Sequence, residues 1–549
     1  MSQLDLLSEL NSTFTQQNWE VLFKLLDPKL FRTIESQKII ASPILAKVAQ
    51  ILTTKDATIP DDIKIASLKC LGNSCYNGYK NKEYVSDNFK YDNYCHKLYS
   101  TLAKSNGTLD GQCDFQNYPY DTHFPYEGVA EWATDYILSH VLNTEKLSEK
   151  QLDILRLSIQ FLCNLFTFAC RSDTTVNQYS LPKCLSNSTL KKAIMNIIVL
   201  DNTKHYQLIR ASCAFIHNAL KELQENYFTE SEKKDLCSQL LKPISDGVES
   251  AKDALLHLLH DNIVLQWAYN DMLIEDKLYL LEIIYNEISE TVYSSNETNA
   301  CNVFTKDTIE FLSEKFCKRS DLILKTVSTY ANEVEPTEII ILLDILGVLT
   351  SGDIKEFNFL KFNKSLLINC TYLLKSIQMV GKESNNCFTP VQKLSEVAPA
   401  MSKLTIDNER IPGLSATTNN ENQSKVGEEQ PNRSLHDHPA FGFKAGLIRI
   451  MGNMCYKNRA CQDLLREMDA IPLLLDCCNI DARNPLIMQW TIFALRNLCE
   501  GNLENQEIIR GCTRVGTVEN SVLKEVGLTL HEEEDGKKIG IVPLSRDTK

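Results

Sequence analysis

The chain has 549 residues, enough for three or four domains of about 150 residues or for one core drawn out along a rod. Lys and Arg number 57 against 71 Asp and Glu, a formal charge of −14, which argues against a general nucleic-acid binder and a polybasic membrane-surface protein. Gly (20) and Pro (16) together make up about 6.6% of the residues, roughly half the usual share, so turn-rich β folds and phosphate-cradling α/β folds give way to helices joined by short polar corners.

The N-terminal stretch, Met1 to Leu10, carries acids where a secretory leader carries positive charge, and no terminal lipidation signal is present. Ser42-Pro43 ahead of Ile44 reads as a helix start, with a capping hydroxyl followed by Pro at the first helical position. Residues 77–130 are rich in Tyr, Asn and Asp, include Gly107, Gly111 and Pro119, and read as an irregular insertion. Ser148 with Gln151 fits a capping box. Behind it Leu152, Leu155, Ile159, Leu162, Phe166 and Cys170 fall on one broad helical face. The apolar run Ile339 to Leu349 is broken by Asp344 and falls short of the about 20 residues a bilayer span needs.

Residues 381–440 contain polar runs such as Thr417 to Ser424 and read as a disordered linker. Asn484-Pro485 has the same helix-opening look as Ser42-Pro43. Beyond Cys512, two short apolar runs, Val526 to Leu530 and Ile539 to Val542, flank Asp535-Gly536 and suggest a small β-hairpin. The expected organisation is an N-terminal helical array over 1–380, the linker over 381–440, a C-terminal repeat block over 441–512, and a tail over 513–549.

A recurring element ties the helices together. Leu71-Gly-Asn73, Leu162-Cys-Asn164, Ile216-His-Asn218, Met451-Gly-Asn453 and Leu495-Arg-Asn497 share the pattern apolar-x-Asn. Asn453 and Asn497 are 44 residues apart, inside the roughly 40–47 residue period of armadillo and HEAT units. A second Asn follows eight residues on at Asn81, Asn226 and Asn505. The fold class expected is all-α, an armadillo/HEAT-like α-solenoid with a long disordered linker and a short C-terminal hairpin.

Motifs for chemistry are absent from the sequence: no Gly-x-x-x-x-Gly-Lys-Ser/Thr, no Gly-x-Gly-x-x-Gly, no Gly-x-Ser-x-Gly, no His-Glu-x-x-His and no Cys-x-x-Cys. The 19 cysteines read as buried small hydrophobes of a reducing compartment. His257 with His260, and His436 with His438, are the weak metal candidates, and the reading carries no enzyme activity, metal or cofactor. The Asn side chains have two readings. They can meet the N–H and C=O of an extended peptide in a concave groove, or bond to neighbouring loops and brace the repeats. On the groove reading Arg449, Asn453 and Lys457, spaced by four, share a helix face suited to an acidic peptide, and Trp490 and Asn497 extend the candidate surface.

The block from Gly442-Phe-Lys444 through Met451-Gly-Asn453, Gln462-Asp463, Ile471-Pro472, Cys478 to Asp481, Trp490 and Arg496-Asn-Leu498 resembles the C-terminal domain of the ataxin-10 family. One departure is Cys461, where that pattern usually has Asn, and it puts the hydrogen bonds of that repeat corner in question. The resemblance implies a non-catalytic cytoplasmic armadillo scaffold linked to cytokinesis, to a centrosome, basal-body or midbody location, and to neurite outgrowth through Ras–MAP-kinase signalling. It implies self-association into a homo-oligomer, with a heterotrimeric G-protein β subunit and the O-GlcNAc transferase as partners. The alternative is an armadillo-fold exchange factor or chaperone for a G-protein subunit.

Overall fold

The computed structural model describes residues 3–31, 42–55, 58–85, 124–170, 183–222, 227–293, 304–327, 334–352, 355–383, 386–391, 440–512, 524, 527–532 and 539–543. The chain divides into two compact units, Met1–Met272 and Leu273–Lys549. Helices 274–383, counted with the N-terminal array in the sequence reading, thus share a unit with the C-terminal repeats.

The first unit opens with α1 (Gln3–Thr15), α2 (Trp19–Leu25), α3 (Pro28–Phe31), α4 (Ser42–Thr53) and α5 (Asp61–Val85). It continues with α6 (Phe124–His140), α7 (Glu149–Cys170), α8 (Ser188–Ile198) and α9 (Asn202–Glu222). Last come α10 (Glu230–Gln239), α11 (Leu241–Ser245), α12 (Glu249–Leu259) and α13 (Asn262–Asp271). The long helices α5, α7, α9 and α12 pack side by side in that order, and α4, α6 and α8 pack against them. The Ser148 capping box forms at the start of α7: Ser148 N donates to Gln151 Oε1 at 3.0 Å and Gln151 N to Ser148 Oγ at 3.3 Å.

The second unit contains α14 (Ile274–Tyr293), α15 (Lys306–Arg319), α16 (Val334–Ser351) and α17 (Lys364–Glu383). Then follow α18 (Phe443–Cys455), α19 (Arg459–Glu467), α20 (Ala470–Leu475), α21 (Ile487–Cys499) and α22 (Leu503–Gly511). Here α14, α16, α18 and α21 form the equivalent row. Each unit is therefore a solenoid-like stack in which one long helix per repeat lies on the next. Close approach helps set the spacing: a Cβ added at Gly452 in α18 would sit 3.0 Å from Ala494 Cα in α21. The tail forms the expected hairpin, β1 (Leu528–Glu532) antiparallel to β2 (Ile539–Pro543), with Leu528 opposite Pro543 and Thr529 opposite Val542.

Three sequence expectations are corrected. The irregular insertion is shorter than 77–130, because α5 continues to Val85 and α6 already starts at Phe124. No Pro interrupts residues 77–85, and extending an existing helix adds a hydrogen bond for each residue fixed. Pro125 suits the first turn of α6, where its missing N–H has no helical partner to lose. Residues 86–123 lie outside the described residues. Asn484 does not cap α21: Leu486 holds that position at φ 60, and Asn484 is buried, accepting from Lys444 N at 3.0 Å.

The third correction concerns the ends of the linker. α17 runs to Glu383, and residues 386–391 return across its last turn, so a Cβ on Gly381 would lie 2.6 Å from Phe388 O. Val391 N then donates to Asp481 Oδ1 at 3.1 Å and Ala482 N to Val391 O at 2.9 Å. Arg483 Nη1 donates to Asn386 O at 2.7 Å. The buried Lys444 Nζ lies 2.9 Å from Asp481 Oδ2 and donates to Phe388 O at 3.3 Å. The far end is tied to the same loop, Gly442 N donating to Arg483 O at 2.8 Å. Residues 392–439 thus join two points fastened to one 481–484 loop, and the rest of the linker expectation lies outside the described residues. Replacing 393–438 by about eight Gly/Ser residues should preserve the second unit and change its stability by no more than about 2 kcal/mol, the loop-closure difference. Urea titration of the shortened chain checks this; failure to fold would mean that the insertion itself holds the unit together.

Candidate partner-binding surface

Four of the five Asn residues of the apolar-x-Asn elements form a ladder, while Asn73 Nδ2 donates to Pro28 O at 2.8 Å. Asn164 Nδ2 donates to Gly72 O at 3.3 Å and Asn218 Nδ2 to Cys163 O at 3.4 Å. In the second unit Asn453 Nδ2 donates to Gly347 O at 3.4 Å and Asn497 Nδ2 to Gly452 O at 3.0 Å. Every acceptor in this ladder is the middle residue of the preceding element. Gly347 belongs to Leu346-Gly-Val348, an element that has lost its Asn and that the sequence pattern missed. Asn453 also donates to Thr350 Oγ1 at 3.2 Å. Asn453 and Asn497 are 6% and 2% exposed, so both amides face the neighbouring repeat.

Of the remaining candidates Lys457 is exposed, and Arg449 and Trp490 are half-buried. Arg449 in α18 donates from Nη2 to Tyr293 Oη at 3.2 Å, and its guanidinium stands over the Trp490 ring at 5.3 Å from the centroid. Its Nε is buried and has no hydrogen-bond partner among the described residues. Asp344 is close enough that the guanidinium opposes the rise which crowding imposes on its carboxyl pKa. Trp490 is half-buried and meets Phe493 edge-on at 6.0 Å. Lys457 lies past the end of α18, in a turn at φ 49, with its ammonium 5.1 Å from the Tyr456 ring. Lys457 therefore parts from Arg449 and Asn453, which both lie on the side of α18 that meets Gly347, since the helix that would align all three stops at Cys455.

The corner at Cys461 is satisfied by its neighbours. Asn458 caps α19 through Cys461 N at 3.4 Å and donates from Nδ2 to Lys361 O at 2.8 Å. Gln462 Nε2 reaches Cys455 O, Asn497 O and Glu500 O at 3.2, 2.9 and 3.2 Å. The Cys461 thiol is pushed up to about 11 by burial and donates weakly to Lys361 O at 3.4 Å. Burial likewise lifts Cys163 and Cys213 to about 12, which removes thiolate character at neutral pH. Asn505 is buried and bonds Gln462 O and Leu498 O; Asn81 and Asn226 side chains lie outside the described residues.

His257 and His260 stand 6.2 Å apart by ring centroids, and His217 of α9 lies 5.1 Å from His257. Among the described residues no group of three His, Cys, Asp or Glu is placed to hold a metal ion. His436 and His438 lie outside the described residues. Burial, then the neighbouring His217, His260 and Lys221, holds the His257 pKa below its ordinary 6.5, with Asp253 opposing. Burial lowers His260 as well.

Two outcomes follow from this geometry. Asn453→Ala should lower the unfolding free energy by about 1–3 kcal/mol, because it removes two donated bonds at a buried site. An unchanged urea midpoint would show that this rung contributes nothing. The histidines bind protons less readily folded than unfolded, so their contribution is complete above about pH 6.5 and is lost as pH falls below it. The His257→Gln/His260→Gln variant should accordingly lose less thermal stability than the parent between pH 7.5 and 5.5, as scanning calorimetry would measure.

Comparison with known proteins covers both units. A profile of the spinocerebellar ataxia type 10 protein domain matches residues 443–540. Ataxin-10 of Xenopus tropicalis is 34% identical over 264 residues, 48% of this chain and 46% of that protein, so the match spans less than half its length. Ataxin-10 of Homo sapiens is 27% identical over 415 residues, 73% of each chain. An ataxin-10 homolog of Dictyostelium discoideum is 47% identical over 95 residues, 17% of this chain and 16% of that one. The domain match over α18–β2 and the long matches to ataxin-10 across species agree with the repeat ladder, and they support the ataxin-10 family for this chain.

Proposed function

We propose that the chain is a non-catalytic scaffold that assembles protein partners, and that the surface around Arg449 is one of its docking points. The observation that carries this reading is the Arg449 guanidinium itself. It stands over Trp490 at 5.3 Å from the ring centroid and is steadied by Tyr293 at 3.2 Å, with its Nε buried and without a partner among the described residues. A guanidinium fixed in place between an aromatic ring and a hydroxyl suits a carboxylate at its outer N–H groups, and the aromatic face beside it suits an apolar neighbour in the same peptide. Asp344 makes the site selective, since an incoming acid must compete with a carboxylate already nearby. Lys457 adds positive charge at the rim of the same unit.

The likeness to ataxin-10 supports the wider role: a cytoplasmic, self-associating adaptor in cytokinesis, in centrosome, basal-body or midbody function, and in Ras–MAP-kinase signalling during neurite outgrowth. A G-protein β subunit and the O-GlcNAc transferase are the partners this reading favours. No helix among the described residues is long and apolar enough to cross a membrane. In capture from cytosol, Arg449→Glu/Lys457→Glu should lose a distinct, salt-sensitive set of partners about tenfold or more, with circular dichroism unchanged. Retention of every partner would remove Arg449 from the recognition surface. Substrate turnover by the purified chain alone would overturn the scaffold reading.

A further inference from the structure

Among the described residues of the second unit, α22 is the last helix, and it opens a further repeat. The 44-residue spacing of Asn453 and Asn497 holds position by position around them. Gly442 and Leu486 both take positive φ ahead of α18 and α21, and Lys457 and Gly501 both take it behind them. Asn458 caps α19, and Asn502 caps α22 in the same way. In this register α22 matches α19, and Gln506 matches Gln462. Gln506 Nε2 donates to Cys499 O at 2.8 Å, as Gln462 does to Cys455 O. Gln462 goes on to bond Asn497 O and Glu500 O of the following long helix. Gln506 has no such second set among the described residues, because no long helix follows α22 there.

The outer face of α21 is correspondingly bare. Ile492 is 59% exposed and Leu503, at the start of α22, is 75% exposed, with Met488 beside them also exposed. Leu495, the apolar member of its apolar-x-Asn element, is only half-buried, whereas Leu71, Leu162, Ile216, Leu346 and Met451 in the earlier elements are fully buried. Stacked repeats need a terminal cap over such a face. The chain carries one candidate at the right place. Counting the same 44 residues on from α21 (487–499) reaches 531–543, the end of β1 and all of β2. A two-stranded ribbon is at best marginally stable alone. Its strands pack chiefly on each other, and Ile541 is 60% exposed on the face it shares with the Leu528–Pro543 pair.

We propose that the β1–β2 hairpin folds back over the exposed face of α21 and α22 as the terminal cap of the second unit, at the place where the 44-residue register puts the next long helix. The exposed Ile492 and Leu503 on one side and the exposed Ile541 on the other thereby cover each other. The 14 residues between Cys512 and Gly527 span up to about 45 Å when extended, which leaves the hairpin free to reach the end of the stack. The proposal is independent of the Arg449 surface.

Hydrogen exchange of the full chain at low protein concentration tests it with substitutions at exposed positions, so the core is left intact. Ile541→Asp should speed exchange several-fold in peptides from 487–511, and Ile492→Asp should do the same in 527–543. The pair Ile492→Lys/Ile541→Glu should restore protection in both. Unchanged exchange over 487–511 in Ile541→Asp overturns the proposal. So does protection that rises with protein concentration and ignores the hairpin substitution, since a second copy of the chain would then be the cover.

Discussion

A recurring amide bond sets the register of four helix-to-helix steps in this molecule. In each of four rungs an Asn donates to the carbonyl one residue before the matching position in the preceding element, so a single side chain states both which helix lies next and at what axial height. A carbonyl inside a helix has a second lone pair, so the bond is added without breaking the helical ladder. Close packing at Gly452 against Ala494 is compatible only with that height. The apolar residues of each element supply burial, which is non-directional; the Asn supplies register, which burial cannot.

The second unit adds a different device, a buried ion pair between Lys444 and Asp481 that also gathers the carbonyl of Phe388 and the amide of Val391. Such a pair contributes little net stability, because desolvation consumes most of the attraction. Its value lies in geometry. It commits α18, the 481–484 loop and the returning 386–391 segment to one arrangement, with lone pairs and ammonium protons placed among them.

The sequence was legible where a rule is local. The apolar-x-Asn elements, the 44-residue spacing, the Ser148 capping box and the tail hairpin all rest on residues close in the chain. What could not be read depends on distant partners. Leu346-Gly-Val348 is a rung position without its Asn, visible only because Asn453 bonds to Gly347. Residues 386–391 look like linker because their fastenings at Asp481 and Arg483 lie about 90 residues on. The periodicity that put Arg449, Asn453 and Lys457 on one face ignored the left-handed turn at Lys457. It also could not tell an Asn turned to a groove from one turned to the neighbouring repeat, because both readings use the same helical position.

The fastening of Val391 to Asp481 also has a consequence in time. A chain made from its N-terminus completes α17 and the returning segment well before the residues that hold them exist. At about 5–20 residues per second, roughly 5–20 s pass between the synthesis of Val391 and that of Asp481. During that interval the end of α17 is uncovered, with the apolar Phe388 and Val391 lacking the loop that later pins them. The newborn second unit therefore passes through an obligatory half-built stage, and it is there, more than in the finished stack, that a chaperone would find something to hold.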